Sequence, residues 1–181
     1  FKNTEHEIHV FDCLDKPIHE ALRWTHYTEN WGKRKIPYIK GEYFLEKKFP
    51  EIYEKIAPFL KVTAAEKLAE IIKKIQPDLV HSLEMQTQTY PLLKVHQKHS
   101  FKWAYFSWGS DLYLYKNHKN HTAKIKNVLK NIDYLFIDNS RDIQLAKELG
   151  FTKQPFPIFP GGGGYDLKKY QQYNKCCTSI F

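Results

Sequence analysis

The fold is decided by two short stretches, Pro77-Asp78-Leu79-Val80-His81 and Ser107-Trp108-Gly109-Ser110-Asp111. Each has the pattern of a buried strand that stops abruptly at polar residues, and they lie about one βα unit apart. In an open parallel sheet, the carboxyl ends of such strands face a common crevice where ligands bind. The two stretches therefore predict a site for chemistry at one edge of a parallel sheet.

Strands alternate with helices on both sides of these stretches. Thr63 and Glu66 have the spacing of a capping box, and apolar residues then recur every three or four positions as far as Pro77. The pattern further predicts three helices: one over residues 90–98, one with its apolar stripe over 125–132, and one capped by Ser140 and ended by Gly150. Strands are predicted between and after them, over residues 102–107, 133–138 and 156–159. This alternation predicts an α/β fold, a Rossmann-like parallel sheet with helices on both faces.

The chain before Thr63 is less regular. Residues 7–12 predict a strand, because β-branched and aromatic residues are frequent there. Residues 13–48 predict a long loop with a strand around 36–39, and residues 49–57 predict a short helix that ends at Pro58. Apart from the glycine run at 161–164, the sequence has no low-complexity tract and no internal repeat.

The composition excludes several classes of protein. Hydrophobic residues make up 42% and aromatic residues 15% of the 181 residues, which is typical of a folded domain. No run of about 18 apolar residues is long enough to span a membrane. The formal net charge of +8 favours an anionic partner without choosing among nucleic acid, anionic lipid and phosphorylated ligands. Three cysteines, Cys13, Cys176 and Cys177, lack zinc-ligand spacing and favour a reducing, cytoplasmic compartment.

In their order and spacing, these motifs resemble the N-terminal lobe of GT-B glycosyltransferases, in particular glycosyltransferase family 4. That lobe has a Pro-Asp-(apolar)-(apolar)-His strand end and a His-Gly-x-Asp or Trp-Gly-x-Asp turn. It also has a strand that leads through Ser into a helix ending at Gly-(aromatic), and a Pro-x-Gly-(Val or Tyr)-Asp signature, which is stretched here by the run of four glycines. The corresponding segments here are Pro77–His81, Trp108–Asp111, Asp133–Ser140, Leu149–Phe151 and Pro160–Tyr170, and His6–Phe11 is similar to the family's second strand.

The resemblance implies that the chain is one half of an enzyme. Residues 1–160 would form the acceptor-side lobe without the family's first strand, residues 161–181 a glycine linker and tail, and the C-terminal donor-binding lobe would be absent. The intact enzyme would transfer a sugar of the hexosyl type from a nucleotide-sugar donor to a hydroxyl group on a glycan or lipid-linked acceptor. The resemblance further implies retention at the anomeric carbon, no metal, no cofactor besides the nucleotide-sugar co-substrate, and a fragment that is inactive alone.

The resemblance places His81 and Asp111 nearest to the reaction centre, as the catalytic residues. Glu84 lies just beyond His81, where a carboxylate can act as a base or bind sugar hydroxyls. Replacement of Asp111 by alanine is expected to lower turnover without unfolding the protein. A structural alternative is open for each residue: a histidine that ties a loop, an aspartate that caps a helix and a glutamate in solvent.

Five further residues are predicted to bind substrate. Trp108 offers an indole on which a sugar ring can stack, Gly109 allows close approach of the backbone, and Ser110 adds a polar group. Ser140 and Arg141 begin a helix, where free amides and a guanidinium favour phosphate. The structural alternatives are a turn in which Gly109 supplies an unusual backbone angle, and an ordinary serine cap beside an exposed arginine.

A basic run over Lys116–Lys126 contains His118 and His121. No third ligand accompanies the two histidines, so no metal site is predicted. The simpler interpretation is a basic surface exposed to solvent. The functional alternative is a surface that approaches anionic lipid or a lipid-linked acceptor at the inner face of the membrane. Nucleic acid is not expected, because aromatic and basic residues do not alternate as on an RNA-binding sheet.

Two functions other than glycosyl transfer fit parts of the sequence. A non-catalytic Rossmann-like module could bind a phosphorylated ligand or a partner protein. Such a module would cover its own sheet edge and crevice, whereas half of an enzyme would expose them. Another GT-B-like enzyme, such as a sugar epimerase, would need its own set of carboxylates and histidines around a nucleotide sugar.

Overall fold

The computed structural model describes residues 2–158 of the chain. Its main sheet has three parallel strands in the order β3 (Leu79–Leu83), β4 (Lys102–Ser107) and β5 (Tyr134–Ile137). A second sheet has two parallel strands, β1 (His9–Phe11) and β2 (His26–Thr28). The predicted α/β, Rossmann-like class with parallel strands is therefore confirmed.

Seven α-helices connect and flank these strands in the described part of the chain. They are α1 (Glu42–Lys48), α2 (Pro50–Leu60), α3 (Ala64–Ile75), α4 (Tyr90–His96), α5 (Ser110–Tyr113), α6 (Lys119–Asn131) and α7 (Ser140–Glu148). A π-helical turn over Met85–Thr89 leads from β3 into α4, and 3-10 turns lie at Glu20–Leu22 and Tyr115–Asn117. Among residues 2–158, no helix is long and apolar enough to cross a membrane.

The main core lies on one face of the three-stranded sheet. Side chains alternate along a strand, so every second residue points to this face. Trp103, Tyr105, Leu135 and Ile137 all point there and are 0% exposed. Apolar residues of α3, α4, α6 and α7 pack against them. Trp103 donates its indole N–H to the buried Ser82 hydroxyl at 3.0 Å, so this polar pair is satisfied inside the core.

The opposite face of the sheet carries apolar side chains that are only partly covered. Leu79, Leu83 and Tyr134 point to this face and are 39–49% exposed. Phe156 stacks on Phe136 here, with ring centroids 4.5 Å apart. Within residues 2–158, the helices that pack on the sheet core therefore lie on the first face, and the predicted cover of helices on the opposite face is not seen there.

The carboxyl end of β1 contacts the π-helical turn that follows β3 of the main sheet. Cys13 donates its backbone N–H to Oε1 of Gln88 at 3.0 Å, and Nε2 of Gln88 donates to Oδ1 of Asp12 at 3.1 Å. Phe11 and Cys13 also pack against the main core. Burial raises the pKa of the Cys13 thiol to about 12, so the thiol is protonated and acts as a small apolar group.

The strand expected around residues 36–39 is wrong, because this segment wraps around the guanidinium of Arg34. Arg34 donates to the carbonyl oxygens of Ile36 and Pro37 and forms a two-pronged ion pair with the buried carboxylate of Glu42. This partner lowers the pKa of Glu42 to about 2. The segment 13–48, expected as a loop, also contains β2 and α1, whose few residues are too short for a clear periodicity.

The helix expected to end at Pro58 continues to Leu60. Proline has no N–H to donate to the carbonyl one turn earlier, which normally ends a helix. Leu60 is nevertheless 6% exposed and packs with Tyr53 and Ala57 in a small second core. Burial of this side chain offsets the hydrogen bond that Pro58 cannot make.

The last predicted strand, residues 156–159, is wrong for the part that the structure describes. Phe156 donates its backbone N–H to the Leu135 carbonyl at 2.9 Å, but no strand forms. Pro155 and Pro157 flank it and have no N–H to contribute to a ladder. Residue 159, and the predicted linker and tail over 161–181, lie outside the described residues.

The capping box of α3 is confirmed and is open to a stability test. The Thr63 hydroxyl accepts a hydrogen bond from the Glu66 N–H at 3.3 Å, and the Glu66 carboxylate accepts one from the Thr63 N–H at 2.8 Å. Thr63→Ala should lower the free energy of unfolding by about 1 kcal/mol, because it leaves a helix amide without its acceptor. Urea unfolding measures the loss. Thr63→Ser keeps the acceptor, and an equal loss in that variant would contradict the assignment.

Candidate active site

Two loops meet at the carboxyl edge of the main sheet, one after β4 and one after β5. A Cβ atom placed on Gly109 would lie 3.5 Å from Nδ2 of Asn139 and 3.7 Å from a terminal guanidinium nitrogen of Arg141. The predicted site residues in these two loops are Trp108, Gly109, Ser110, Ser140 and Arg141, and we call them the β4–β5 edge. The fold thus brings five of the predicted substrate-binding residues to one place.

Gly109 forms the tightest turn of this edge. Its φ of 70° and ψ of −60° describe a γ-turn with positive φ, closed by a hydrogen bond from the Ser110 N–H to the Trp108 carbonyl at 2.7 Å. This conformation is rare and strained, and it favours glycine because other residues avoid positive φ. The preceding Trp108 side chain is 54% exposed, which leaves its indole available to a ligand.

The buried carboxylate of Asp111 holds the Gly109 turn in place. Its side chain is 2% exposed, and Oδ2 accepts hydrogen bonds from the Tyr105 hydroxyl at 2.8 Å and from the Trp108 N–H at 3.1 Å. Burial raises the pKa of Asp111, while these two donors act in the opposite direction. The carboxylate therefore positions the loop. Its loss should also destabilise the protein, since alanine leaves two buried donors unpaired, which corrects the expectation that Asp111→Ala lowers turnover without unfolding.

The Arg141 side chain is half exposed beside the Gly109 turn. Its Nε donates to Asp142 Oδ1 at 2.8 Å, and the guanidinium carbon lies 4.2 Å from the centroid of the Tyr113 ring. The ion-paired hydrogen bond with Asp142 raises the pKa of Arg141. The side chain is 49% exposed, so an oriented and permanently charged group faces any ligand at this edge.

The helix α7 is capped by Asn139, which corrects the predicted cap at Ser140. The Asn139 side-chain oxygen accepts a hydrogen bond from the Asp142 N–H at 3.0 Å, and Ser140 is the first helical residue. Asn139 also donates to the carboxylates of Asp138 and Asp142 at 2.6 and 3.0 Å. The amides of Ser140 and Arg141 have no intrahelical acceptor, because they lie in the first turn.

Glu84 has a structural task in the turn after β3. It has a φ of 59°, and its carboxylate accepts hydrogen bonds from the N–H groups of Gln86, Thr87 and Gln88 and from the Thr87 hydroxyl, at 2.6–3.3 Å. These contacts cap the π-helical turn. A role as a base or as a sugar ligand, which stays a prediction, would require Glu84 to share these hydrogen bonds.

His81 does not lie at the end of its strand, because β3 continues to Leu83. His81 pairs in register with Ala104, four residues before Trp108, which places it roughly 13 Å back along the strand direction at about 3.3 Å per residue. The imidazole lies on the partly open face of the sheet, 5.4 Å from the Phe136 ring, and partial loss of water lowers the pKa of His81. Its predicted place near the reaction centre stays a prediction.

Sequence reasoning missed three residues that shape this edge: Tyr113, Asn139 and Asp142. Asn139 and Asp142 have the spacing of an N-cap and the third helical residue. This spacing indicates a helix cap at Asn139, one position before the predicted cap at Ser140. Asp142 is 0% exposed, although no pattern in the sequence marks it as buried. The Tyr113 contact with Arg141 joins α5 to α7 and has no local signal in the sequence.

The basic run over Lys116–Lys126 lies on the 3-10 turn and α6, next to α2. Lys124 forms an ion pair with Glu54 of α2 at 3.0 Å, and Lys94 forms one with the same carboxylate at 2.8 Å. Tyr90 and His121 are hydrogen-bonded at 3.1 Å. Part of the positive charge is therefore compensated within the fold.

The parallel sheet and the helices that follow its strands define a Rossmann-like lobe. The family model described as glycosyl transferase 4-like matches residues 1–139, more than three quarters of the 181 residues. The chain belongs to this glycosyl transferase 4-like family, which confirms the resemblance and supports glycosyltransferase function in general, with a sugar donor and an acceptor. The search of curated proteins found no match.

The raised pKa of Asp111 predicts a pH-dependent stability. Because the native state holds this proton more tightly than the unfolded chain does, the contribution of Asp111 is fully present below its unfolded pKa of about 4 and is lost as the pH rises through the folded pKa. Asp111→Asn keeps an oxygen for Tyr105 and Trp108 but cannot ionise. Its free energy of unfolding, relative to wild type, should therefore increase from about pH 4 to about pH 7.

Urea unfolding at several pH values measures this difference. Glu148→Gln, which replaces an exposed carboxylate of α7, is the control for removing one surface charge. A constant difference for Asp111→Asn would contradict the assigned environment of the carboxyl group.

Proposed function

We propose that the enzyme containing this lobe transfers a sugar from a nucleotide-sugar donor to a hydroxyl acceptor, and that the β4–β5 edge binds the substrates. The observation that carries the proposal is the Gly109 turn, which follows the half-exposed Trp108 and lies against the half-exposed Arg141. The buried carboxylate of Asp111 holds the Trp108 amide, and that of Asp142 holds the Arg141 guanidinium. An indole face suits a sugar ring, and a guanidinium with free helix amides suits a phosphate. A sugar ring and a phosphate occur together in a nucleotide-sugar ligand.

In this proposal, the residues act by positioning and by charge stabilisation. Trp108 and Ser110 orient the sugar, while Arg141 and the first amides of α7 hold the phosphate oxygens and take up charge on the leaving diphosphate. His81 is proposed to contact substrate from the open sheet face, and Asp111 acts through the loop that it holds. Retention at the anomeric carbon, independence from metal ions and a hexosyl donor are further parts of the proposal, and they rest on the family resemblance.

The indole can be tested by a pair of tryptophan substitutions. Trp108→Ala should weaken binding of the sugar substrate about tenfold or more, the equivalent of about 1.4 kcal/mol, because it removes the stacking surface. Trp24→Ala is the matched control, since Trp24 is 40% exposed but lies in the N-terminal segment. The measurement is a titration with donor and acceptor sugars, combined with nucleoside diphosphate release by the full-length protein.

The outcomes separate the possible functions. Equal loss in both variants, or in neither, would exclude Trp108 as a stacking surface. Sugar-phosphate binding without any transfer by the full-length protein would favour the non-catalytic binding module over the enzyme.

We further propose that the lobe contacts an anionic membrane, through the helices α1 and α2 and the loop before them. This surface, residues 36–60, carries large exposed apolar side chains: Tyr38 at 82%, Tyr43 at 73%, Phe44 at 59% and Phe59 at 75%. Its exposed charged side chains are the lysines Lys40, Lys47, Lys48 and Lys55 and the glutamates Glu46, Glu51 and Glu54. Glu46 and Glu54 are ion-paired with lysines outside this segment, so their charge is compensated there. Aromatic residues interspersed with lysines suit the boundary between lipid tails and anionic headgroups. The basic run of α6 adjoins this surface through the Lys124–Glu54 ion pair.

Vesicle sedimentation tests the membrane contact. The protein should bind vesicles that contain phosphatidylglycerol, and less so at high salt, because screening weakens the lysine contribution. Phe44→Ser combined with Phe59→Ser should lower the bound fraction severalfold, whereas Leu79→Ser, at an exposed apolar position on the sheet, should not. A wild-type protein that stays in the supernatant at low salt would overturn this part of the proposal.

A further inference from the structure

Three potential metal ligands meet at the amino ends of β1 and β2. His9 and His26 are register partners in these parallel strands, and their rings stack with centroids 4.8 Å apart. Oε1 of Glu7 lies 2.8 Å from Nε2 of His9 and 3.6 Å from Nε2 of His26. One ligand atom from each residue lies within 4.8 Å of the others.

The chemistry of this donor set suits a transition-metal ion. Zn²⁺ takes imidazole nitrogen and carboxylate oxygen at about 2.0–2.2 Å, in a tetrahedron that allows water as its fourth ligand. At those bond lengths two ligand atoms lie roughly 3.4 Å apart. Mg²⁺ and Ca²⁺ prefer oxygen ligands, so two imidazoles disfavour them.

The side chains have the freedom to close around an ion. The Glu7 and His26 side chains are 69% and 67% exposed, and the His9 side chain is 32% exposed. The two distances from Glu7 lie on either side of the separation that a tetrahedral ion requires, so small rotations of the exposed Glu7 and His26 side chains would bring the ligand atoms to it. The backbone pairing of β1 with β2 meanwhile fixes the two histidines opposite each other.

The location indicates a structural role. Each strand of this sheet has three residues, and a two-stranded sheet of that size is marginal without further support. The carboxyl end of β1 is tied to the main sheet by the contacts of Asp12 and Cys13 with Gln88. The three ligands lie at the other end of β1, where an ion would tie the amino ends of the strands together.

We propose that Glu7, His9 and His26 bind a divalent transition-metal ion of the zinc type, which clamps β1 to β2. The clamp is separate from the β4–β5 edge and takes no part in the transfer reaction. It therefore stands or falls independently of the proposed glycosyl transfer.

Metal titration of the full-length, untagged and chelator-treated protein tests the clamp. Zn²⁺ is followed by calorimetry, and Co²⁺ by its visible absorption, which reports ligand type and geometry. We expect one ion to bind per protein molecule. We also expect Zn²⁺ to raise the melting temperature, because the ion binds the folded state. His26→Gln and Glu7→Gln should each weaken binding by about tenfold or more.

His118→Gln is the matched control, because it removes one member of the other histidine pair, His118 and His121, and leaves the clamp intact. Binding and the rise in melting temperature should persist in this variant. Absence of saturable binding, or binding that survives His26→Gln, would overturn the proposal and leave Glu7 as a hydrogen-bond acceptor for the histidines. The His26 side chain is exposed, so its replacement should leave the far-ultraviolet circular dichroism unchanged.

Discussion

The buried carboxylate of Asp111 ties together the end of strand β4, the loop that follows it and the first turn of α5. It accepts hydrogen bonds from Tyr105 in the core strand β4 and from the Trp108 amide in the loop, and it belongs to the first turn of α5. An acidic group inside the core is tolerated only when such donors satisfy it. This requirement fixes the path of the backbone on both sides of Gly109 and thereby the exposure of the Trp108 indole.

A second constraint is the distribution of apolar surface. One face of the main sheet is fully buried, while the other face and the α1–α2 surface leave large apolar side chains in contact with water. Exposed apolar area of this extent is typical of surfaces that meet a membrane or another part of a protein. The two-lobed architecture implied by the family resemblance and the proposed membrane contact both offer partners for such surfaces.

The elements predicted most accurately were those whose signals are local. The capping box at Thr63, the strand over 102–107 and the left-handed stop at Gly150 depend on neighbouring residues, and all three are confirmed. The failures have tertiary causes. Residues 36–39 wrap around the guanidinium of Arg34, which Glu42 of α1 holds in place. The helix α2 continues past Pro58 because Leu60 packs in a small second core.

The candidate site divides in the same way. The sequence predicted Trp108, Gly109, Ser110, Ser140 and Arg141 for the site, because glycine turns and helix starts after buried strands have recognisable patterns, and the fold brings the two segments together. It could not tell that β3 runs on to Leu83 or that Asp111 is buried, because strand pairing and burial depend on the packed fold. The capping of its own turn by the Glu84 carboxylate is a local contact, but it depends on a backbone conformation that no pattern in the sequence marks.

By itself, the sequence determined the α/β class, the parallel order implied by alternating strands and helices, and the family to which the chain belongs. Periodicity and motif order are properties of neighbouring residues, so they can be recognised without coordinates. Only the tertiary structure decided which side chains meet: the turn of Gly109 against Asn139 and Arg141, and the cluster of Glu7, His9 and His26 across two strands. Strand register and loop packing bring together residues that are far apart in the chain, and the energies that select them arise only once the core has formed.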